Sequence, residues 1–579
     1  MSGGKFERFM PAALVRMLTA MFRLLNIRFS MRRFLNSREG LALGGFVLLL
    51  ITSVGLRVYR LNTYSLWLDE TVQYQVATLP LKQMLCNLPY DWLVLPVLLT
   101  KLQILANFDA EAWQLRLPYV FFGTVTVFTI FLLAGEMFNT RIAWLTAFLA
   151  AIWPRLIEYS QEMRPYILFV LLASTSGFAL LRALRTNQTR YWSLFAGAAT
   201  FELYVHHLAL LNVFSFFLFA FVSICFGYIQ SRYQGMPALS TTPNHLSLIS
   251  KVTTAFLAIG VGFLSVLPFY LIPLSKEEHR GILRLNWNAL KILAFYLSSR
   301  TGGALIILVA LALVGLVIAC RGRKGTAIFA LLWIFVPLLF ATQHFGGERF
   351  LGSPRYFLFL IPVLLPFVAA GAITVSERIS LLPRLRQTAF AGRPITIAAL
   401  GLPYVILAGL VAPALIALYS HNPKSLPVDL RSAYAYLLAH AKPNDLILGA
   451  GQADTWNSSW FYSTDGYFFR SQVATRGAET IPVRANPPPP NPGAFPFQTV
   501  DATTGKLFVM IVVGPNKESR LRQAAGDAFV SSCWEEVCVM ESRSDLAMPL
   551  RLDDFLERFA FVDQKDFSAL LKMHNTANN

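Results

Sequence analysis

Apolar runs long enough to cross a bilayer, about 17–25 residues each, recur between residues 41 and 420 and then cease. They fall at roughly 41–58, 117–135, 142–158, 165–182, 191–208, 209–229, 252–274, 303–320, 326–342, 356–375 and 395–419, and each predicts a transmembrane helix. One further apolar stretch, Trp92 to Phe108, contains Lys101 and Gln103 and is short for a span, so it is expected not to cross. No small-residue cleavage site follows Leu41–Leu56, which reads as a retained first span rather than a signal peptide. Past residue 420 the pattern changes. Asp429 to Leu438 reads as a helix closed by Lys442-Pro-Asn-Asp. Leu446-Ile-Leu-Gly and Leu507-Phe-Val-Met-Ile-Val-Val read as buried strands, with a proline-rich break at Asn486–Pro492. The predicted fold class is mainly α: a polytopic membrane bundle of about eleven transmembrane helices with a small C-terminal α/β domain.

Composition agrees, since 55% of residues are hydrophobic and 14% charged, against about 25% charged in an ordinary soluble protein. Mean hydropathy is +0.51. A net charge of +18 would suggest nucleic acid in a soluble protein. Here the basic residues gather in short loops between apolar runs, as the positive-inside rule expects, and nucleic acid is not an expected partner. Leaving Trp92–Phe108 out of the membrane puts the loops with Arg141, with Arg182, Arg185 and Arg190, with Arg321, Arg323 and Lys324, and with Arg378, Arg384, Arg386 and Arg393 all in the cytoplasm. Residues 1–40 carry Lys5, Arg8, Arg16, Arg23, Arg28, Arg32, Arg33 and Arg38 interleaved with Leu14, Leu18, Met21 and Leu25. That pattern suits an amphipathic helix on the anionic cytoplasmic leaflet. The expected organisation is a basic cytoplasmic segment (1–40), a membrane domain (41–420) and an extracytoplasmic domain (421–579). Cys533 and Cys538 stand close enough in sequence to pair or to remain free, and no cysteine or histidine spacing suggests a metal site.

On this topology, acids, arginines and aromatics crowd the outer surface. Asp69 and Glu70 follow the aromatic run from Tyr59. A carboxylate at a low-dielectric boundary is a stronger base, which suits general-base catalysis, although an acid in a first helical turn is also favoured by the helix dipole. Glu162 and Arg164 precede Pro165, which suits a first helical turn. His206 and His207 close another span and read more simply as packed interfacial residues. Arg349 and Arg355 flank a glycine-rich turn, where they fit either snorkelling anchors or the planar fork that grips a phosphate bidentately. One basic loop, Lys276 to Arg300, also falls outside.

The order of these elements resembles the C-type (GT-C fold) membrane glycosyltransferases, in the branch that includes the bacterial lipid A aminoarabinose transferase and relatives of the protein O-mannosyltransferases. Ser65-Leu-Trp-Leu-Asp-Glu70 is similar to the family's acidic motif in the first outer loop, the most specific element of the likeness. Leu88-Pro-Tyr-Asp-Trp-Leu-Val-Leu95 resembles its proline-rich juxtamembrane helix, with Leu88 in place of one proline and without the histidine often found before it. Gln114-Leu-Arg-Leu-Pro118, Gln161-Glu-Met-Arg-Pro-Tyr166 and Ser353-Pro-Arg-Tyr356 resemble further outer motifs.

The resemblance implies juxtamembrane helices in the first outer loop and a polyprenyl-phosphate-linked sugar as donor. The implied acceptor is a hydroxyl or phosphate of a cell-envelope lipid, lipopolysaccharide precursor, glycan or protein on the outer face of the cytoplasmic membrane. It implies Asp69 as general base with Glu70 beside it, an inverting displacement, and a donor-phosphate site drawn from Arg116, Glu162, Arg164, Tyr166, Arg349, Arg355 and Tyr356. No cofactor is required by the pattern, and a divalent ion stays open because some relatives use one. The competing classes are a polyprenyl-lipid transporter or flippase and a non-catalytic lipid-binding protein. Transporters place ionisable groups near the midplane of repeated, broken helices, whereas these midplanes are nearly free of charge and no internal repeat is visible.

Overall fold

The computed structural model describes residues 38–62, 66, 68–88, 92–108, 112–233, 243–275, 287–298, 304–344, 354–380 and 394–420. In the C-terminal region it describes 436, 439–440, 446–450, 479–482, 507–512, 529–534 and 537–543. Most of the basic segment 1–40, the residues Arg280, Arg284 and Arg349, and the proline-rich break therefore lie outside the described residues. Tertiary contacts divide the chain into two units, Met1–Gly55 and Leu56–Asn579.

Sixteen helices are described. They are α1 (Arg38–Val58), α2 (Leu68–Thr78), α3 (Leu81–Cys86), α4 (Val94–Leu105), α5 (Ala112–Met137), α6 (Thr140–Ile152), α7 (Pro154–Glu158) and α8 (Pro165–Thr186). Then follow α9 (Thr189–Leu203), α10 (Ala209–Tyr233), α11 (Pro243–Ser275), α12 (Trp287–Leu297), α13 (Ala304–Gly322), α14 (Lys324–His344), α15 (Ile361–Ser380), which a 3₁₀ segment (Pro354–Leu360) precedes, and α16 (Pro394–Ser420). Seven described segments are long and apolar enough to cross a membrane: Ala112–Met137, Pro165–Thr186, Ala209–Phe226, Leu246–Leu271, Ala304–Gly322, Pro354–Ile379 and Gly401–Ser420. Ala42–Val58, Val94–Leu105, Thr140–Ile152 and Lys324–Leu339 are shorter apolar helices.

Two predicted spans differ from the structure. The expected single run 142–158 breaks at Trp153, where α6 ends and α7 begins. Pro154 has no N–H for the Ala150 carbonyl one turn back. Arg57 supplies the missing donors: Nη2 donates to the Ala150 carbonyl at 3.3 Å and Nη1 to the Ala151 carbonyl at 3.2 Å. Its Nε donates to Ser160 Oγ at 3.1 Å, and the side chain is fully buried. The expected run 191–208 is helical only to Leu203, after which the chain turns through Tyr204–Leu208.

Trp92–Phe108 carries one short helix. Its helix α4 has 12 residues and a length of about 18 Å, short of the roughly 30 Å hydrocarbon core. Of the polar residues that set it apart in sequence, Lys101 caps the end of one neighbouring helix and Gln103 meets a carbonyl that Pro118 leaves without a donor in another. Lys101 Nζ donates to the carbonyls of Ala77 (3.1 Å) and Leu79 (2.6 Å) at the end of α2, where a cation also meets the negative end of the helix dipole. Gln103 Nε2 donates to the Gln114 carbonyl at 3.1 Å, at the start of α5. Val76, Ala77, Met84 and Val97 form the buried seam between α2, α3 and α4.

Helices α13 and α15 approach backbone to backbone. A Cβ on Gly315 would lie 2.1 Å from the Phe367 carbonyl oxygen, and one on Gly371 would lie 1.9 Å from that of Leu311. Each glycine thus faces the carbonyl one turn ahead of the other glycine, the small-residue contact that lets membrane helices pack closely where burial from lipid offers little.

The C-terminal strands β1 (Leu446–Ala450), β2 (Glu479–Pro482), β3 (Leu507–Val512), β4 (Phe529–Trp534) and β5 (Val537–Ser542) form one sheet in the order β2-β1-β3-β5-β4. The two strands expected from sequence, β1 and β3, are parallel neighbours, and β4–β5 is an antiparallel pair. Cys533 faces Cys538 in that pair and the two form a disulfide, with Cα atoms 4.0 Å apart.

The glycine contact gives a direct prediction. Gly315→Ala and Gly371→Ala each drive a Cβ into a backbone carbonyl that cannot rotate away, an overpacking cost of about 1–3 kcal/mol. Each should lower the melting temperature of the detergent-purified protein. The double variant should cost less than the sum, because one separation of the helices relieves both contacts.

Candidate functional site

Helix α2 opens with Asp69 and Glu70 in its first turn. Consecutive helical positions point about 100° apart, so the two carboxylates enter different surroundings. Glu70 is fully buried. It accepts from Arg116 Nε (3.1 Å) and Nη2 (2.7 Å) and from the Met163 amide (2.6 Å). The remaining guanidinium nitrogen, Arg116 Nη1, donates to the Leu61 carbonyl at 3.1 Å. This is a bidentate, desolvated ion pair. All three Arg116 nitrogens are engaged inside the protein, and Glu70 is enclosed with them.

Asp69 faces the other way, with 22% of its side chain exposed. Its Oδ2 lies 3.4 Å from Arg164 Nη2 and 3.4 Å from Arg355 Nη1. These distances are longer than a charge-assisted hydrogen bond of about 2.7–2.9 Å, so one carboxylate is held loosely between two cations.

Both arginines owe their positions to proline. Arg164 precedes Pro165 and is the extended N-cap residue of α8 (φ −134°, ψ 156°), the backbone a residue before proline favours. Arg355 follows Pro354 in the 3₁₀ segment. Arg164 is 3% exposed, with its guanidinium carbon 4.3 Å from the Trp92 ring centre, and its Nε and Nη1 have no hydrogen-bond partner among the described residues. Tyr166 and Tyr356 stand 6.0 Å apart with the Arg355 guanidinium 5.7 Å from each ring. Of the expected site residues, Asp69, Arg164, Tyr166, Arg355 and Tyr356 therefore come together. Glu162 is buried in the adjoining loop. Burial, then the charges of Glu158 and Glu162, push the Tyr159 phenol well above its ordinary pKa. Arg349 lies outside the described residues.

Behind Arg164 a partly open pocket is lined by Gln73, Trp92, Pro96, Tyr166, His206 and Tyr356, among others. His206 stacks on Phe169 (5.2 Å, 3°), and its Nδ1 accepts from the Leu208 amide at 3.1 Å. Burial, then the charges of His207, Arg164 and Arg355, hold its pKa down to about 3. It is therefore neutral at physiological pH, with the proton on Nε2. His207, by contrast, packs against Tyr270 with Nε2 3.3 Å from the Phe269 carbonyl. Gln73 is the lining residue that sequence reasoning missed, although its spacing four positions after Asp69 places both on one helix face. On the far side, Tyr296 of α12 pairs with Tyr159 through their hydroxyls, and Arg155 Nε donates to the Tyr296 carbonyl at 3.3 Å. Part of the basic loop Lys276–Arg300 thus packs beside the site. Among the described residues no three histidine, cysteine, aspartate or glutamate side chains gather as a metal cluster.

Residues 96–233 match the family model described as dolichyl-phosphate-mannose-protein mannosyltransferase. No curated protein matches the chain in sequence. The crystal structure of ArnT from Cupriavidus metallidurans bound to undecaprenyl phosphate is similar with a TM-score of 0.52 at 12% identity, covering 88% of this chain and 99% of that one. Its apo form is similar at 0.51 and 12%, covering 86% and 98%. At this identity the likeness is one of fold. The chain has an ArnT-like fold of the GT-C type.

Breaking one side of a buried ion pair costs about 3–5 kcal/mol, because the other charge is left desolvated. Glu70→Gln and Arg116→Met should each sharply reduce the yield of monodisperse protein. The Glu70→Gln/Arg116→Met double variant should be recovered better than Arg116→Met alone, as read by size-exclusion profile and melting temperature.

Proposed function

We propose that this chain transfers a sugar from a polyprenyl-phosphate donor to a hydroxyl of a cell-envelope acceptor, on the outer face of the cytoplasmic membrane. The observation that carries the reading is the Asp69 carboxylate held between Arg164 and Arg355, of which Arg164 also lines an aromatic pocket. A base beside two cations is what a displacement with a phosphate leaving group requires. The undecaprenyl phosphate bound in the ArnT structure of the same fold supports a lipid-linked donor. In this assignment residues 41–420 are the transferase and 421–579 an outer domain.

The mechanism follows from the chemistry of these groups. Asp69 takes the proton of the acceptor hydroxyl as its oxygen attacks the anomeric carbon from the face opposite the phosphate. The bond from that carbon to the phosphate oxygen breaks, its electron pair stays on the phosphate, and the configuration inverts. Arg164 and Arg355 stabilise the charge that gathers on the leaving group, most effectively in a partly water-excluded site. Nη1 of Arg164, without a hydrogen-bond partner among the described residues, is a donor for that group beside the Nη2 that faces Asp69. Trp92 under the guanidinium keeps it in place. Glu70 and Arg116 act on the reaction through position, by fixing the turn that carries Asp69.

The direct test is turnover of undecaprenyl-phosphate-linked sugars by purified protein. Asp69→Asn keeps shape and removes basicity, so it should fold normally and lose about 10²–10⁴ in rate. Wild-type turnover in that variant would remove the mechanism.

Arg164→Lys and Arg355→Lys keep charge and stem but lose the fork. They should remain abundant and lose roughly tenfold to a hundredfold in kcat/KM for the donor, as a lost charge-assisted hydrogen bond of about 1.5–3 kcal/mol implies. Unchanged efficiency in both would make the two arginines interfacial anchors.

A further inference from the structure

Gln73 does two things at once, and only one of them is explained by the fold. Its Nε2 lies 3.0 Å from Thr100 Oγ1, 3.1 Å from the Tyr119 hydroxyl and 3.3 Å from the Pro96 carbonyl. The Pro96 carbonyl only accepts, so the amide nitrogen must occupy this side and the oxygen the other. That oxygen, Oε1, is buried without a hydrogen-bond partner among the described residues, on a side chain that is fully enclosed. A buried acceptor left empty is costly, and this one belongs to the lining of the pocket behind Arg164.

The position in the helix says what could fill it. Gln73 lies one turn beyond Asp69 on the same face of α2, about 6 Å further along the axis, which is the reach of one sugar ring. A donor whose anomeric carbon sits beside Asp69, with its phosphate at Arg164 and Arg355, therefore extends its far ring substituents toward Gln73. Trp92, Tyr166 and Tyr356 line the same pocket as Gln73, with the two guanidinium groups lying over their rings. We infer that Gln73 selects the donor by accepting, through Oε1, a hydrogen bond from a hydroxyl or amino group of the transferred sugar. This rests on the transferase reading and adds to it a residue that decides which sugar is used.

The test uses the full chain in detergent or nanodiscs. A panel of undecaprenyl-phosphate pentoses and hexoses competes for binding with labelled undecaprenyl phosphate. Monodeoxy and deoxyamino analogues of the best competitor then map its hydroxyls. Wild type should discriminate against one monodeoxy analogue by about tenfold to a hundredfold, the cost of leaving one buried acceptor empty. Gln73→Met fills the same space without the acceptor and should bring that ratio to within about threefold of unity. Gln73→Glu keeps an oxygen acceptor and adds a negative charge. It should preserve the discrimination and improve the analogue bearing an amino group at that position by tenfold or more.

A Gln73→Met variant that still discriminates as wild type does would overturn the inference. So would a wild type that binds sugar-linked and bare undecaprenyl phosphate equally. If Gln73→Met does not fold, the Glu variant decides alone, and an unchanged preference for the amino analogue counts against the inference. Binding ratios need no turnover, so selective binding without transfer would defeat the transferase reading and leave this one standing.

Discussion

A carboxylate with no access to water fixes the geometry of everything around it. Glu70 meets Arg116 through two hydrogen bonds and also takes the Met163 amide, while Arg116 reaches back to the Leu61 carbonyl. Four pieces of chain that are distant in sequence are therefore pinned to one point: the end of the turn after α1, the start of α2, the first turn of α5 and the loop before α8. Such a pair adds little net stability, since desolvation offsets most of its attraction. What it supplies is a single arrangement. Asp69 is the next residue, so its direction is set by its neighbour, and the arginine of the same Met163 loop arrives opposite it.

Three arginines in this protein show how one side chain type serves three ends. Arg57 donates to carbonyls freed by a proline break and is consumed by the backbone. Arg116 is consumed by a carboxylate. Arg164 is buried too, yet its Nε and Nη1 have no hydrogen-bond partner among the described residues. The difference traces to local chain direction. Arg57 and Arg116 lie within helices and meet the packed interior, whereas Arg164 leaves a helix end beside a proline and rests on the face of Trp92.

The parts of this arrangement that a sequence reader can find are those with a local cause. Arg164 and Arg355 stand beside prolines at helix starts, Asp69 follows an aromatic run, and Lys101 with Gln103 marks the short apolar helix α4. Gln73 left no such mark, because an amide in an amphipathic helix looks like any polar residue until its three partners come from α4 and α5. Nor did the pairing of Glu70 with Arg116, 46 positions apart: two charged residues near a membrane surface carry no sign of which is solvated and which enclosed. The glycines at 315 and 371 were equally silent, since each acquires meaning only from a carbonyl on the other helix. The run 142–158 reads as continuous because apolar composition dominates the signal there, although Pro154 marks the break.

The two carbonyls held by Lys101 bear on how the chain is made as well as on how it rests. A nascent segment as apolar as Trp92–Phe108 partitions between lipid and water while the helices after it are not yet synthesised. A lysine at mid-depth costs about 2.5–3.5 kcal/mol, whereas each leucine or isoleucine returns only about 0.3–0.6, so one charge outweighs several of its neighbours. The ammonium thus weighs against burying α4 in lipid, and in the folded chain its charge is placed at the end of α2. Exchanging it for leucine would remove both the penalty and the two carbonyl contacts.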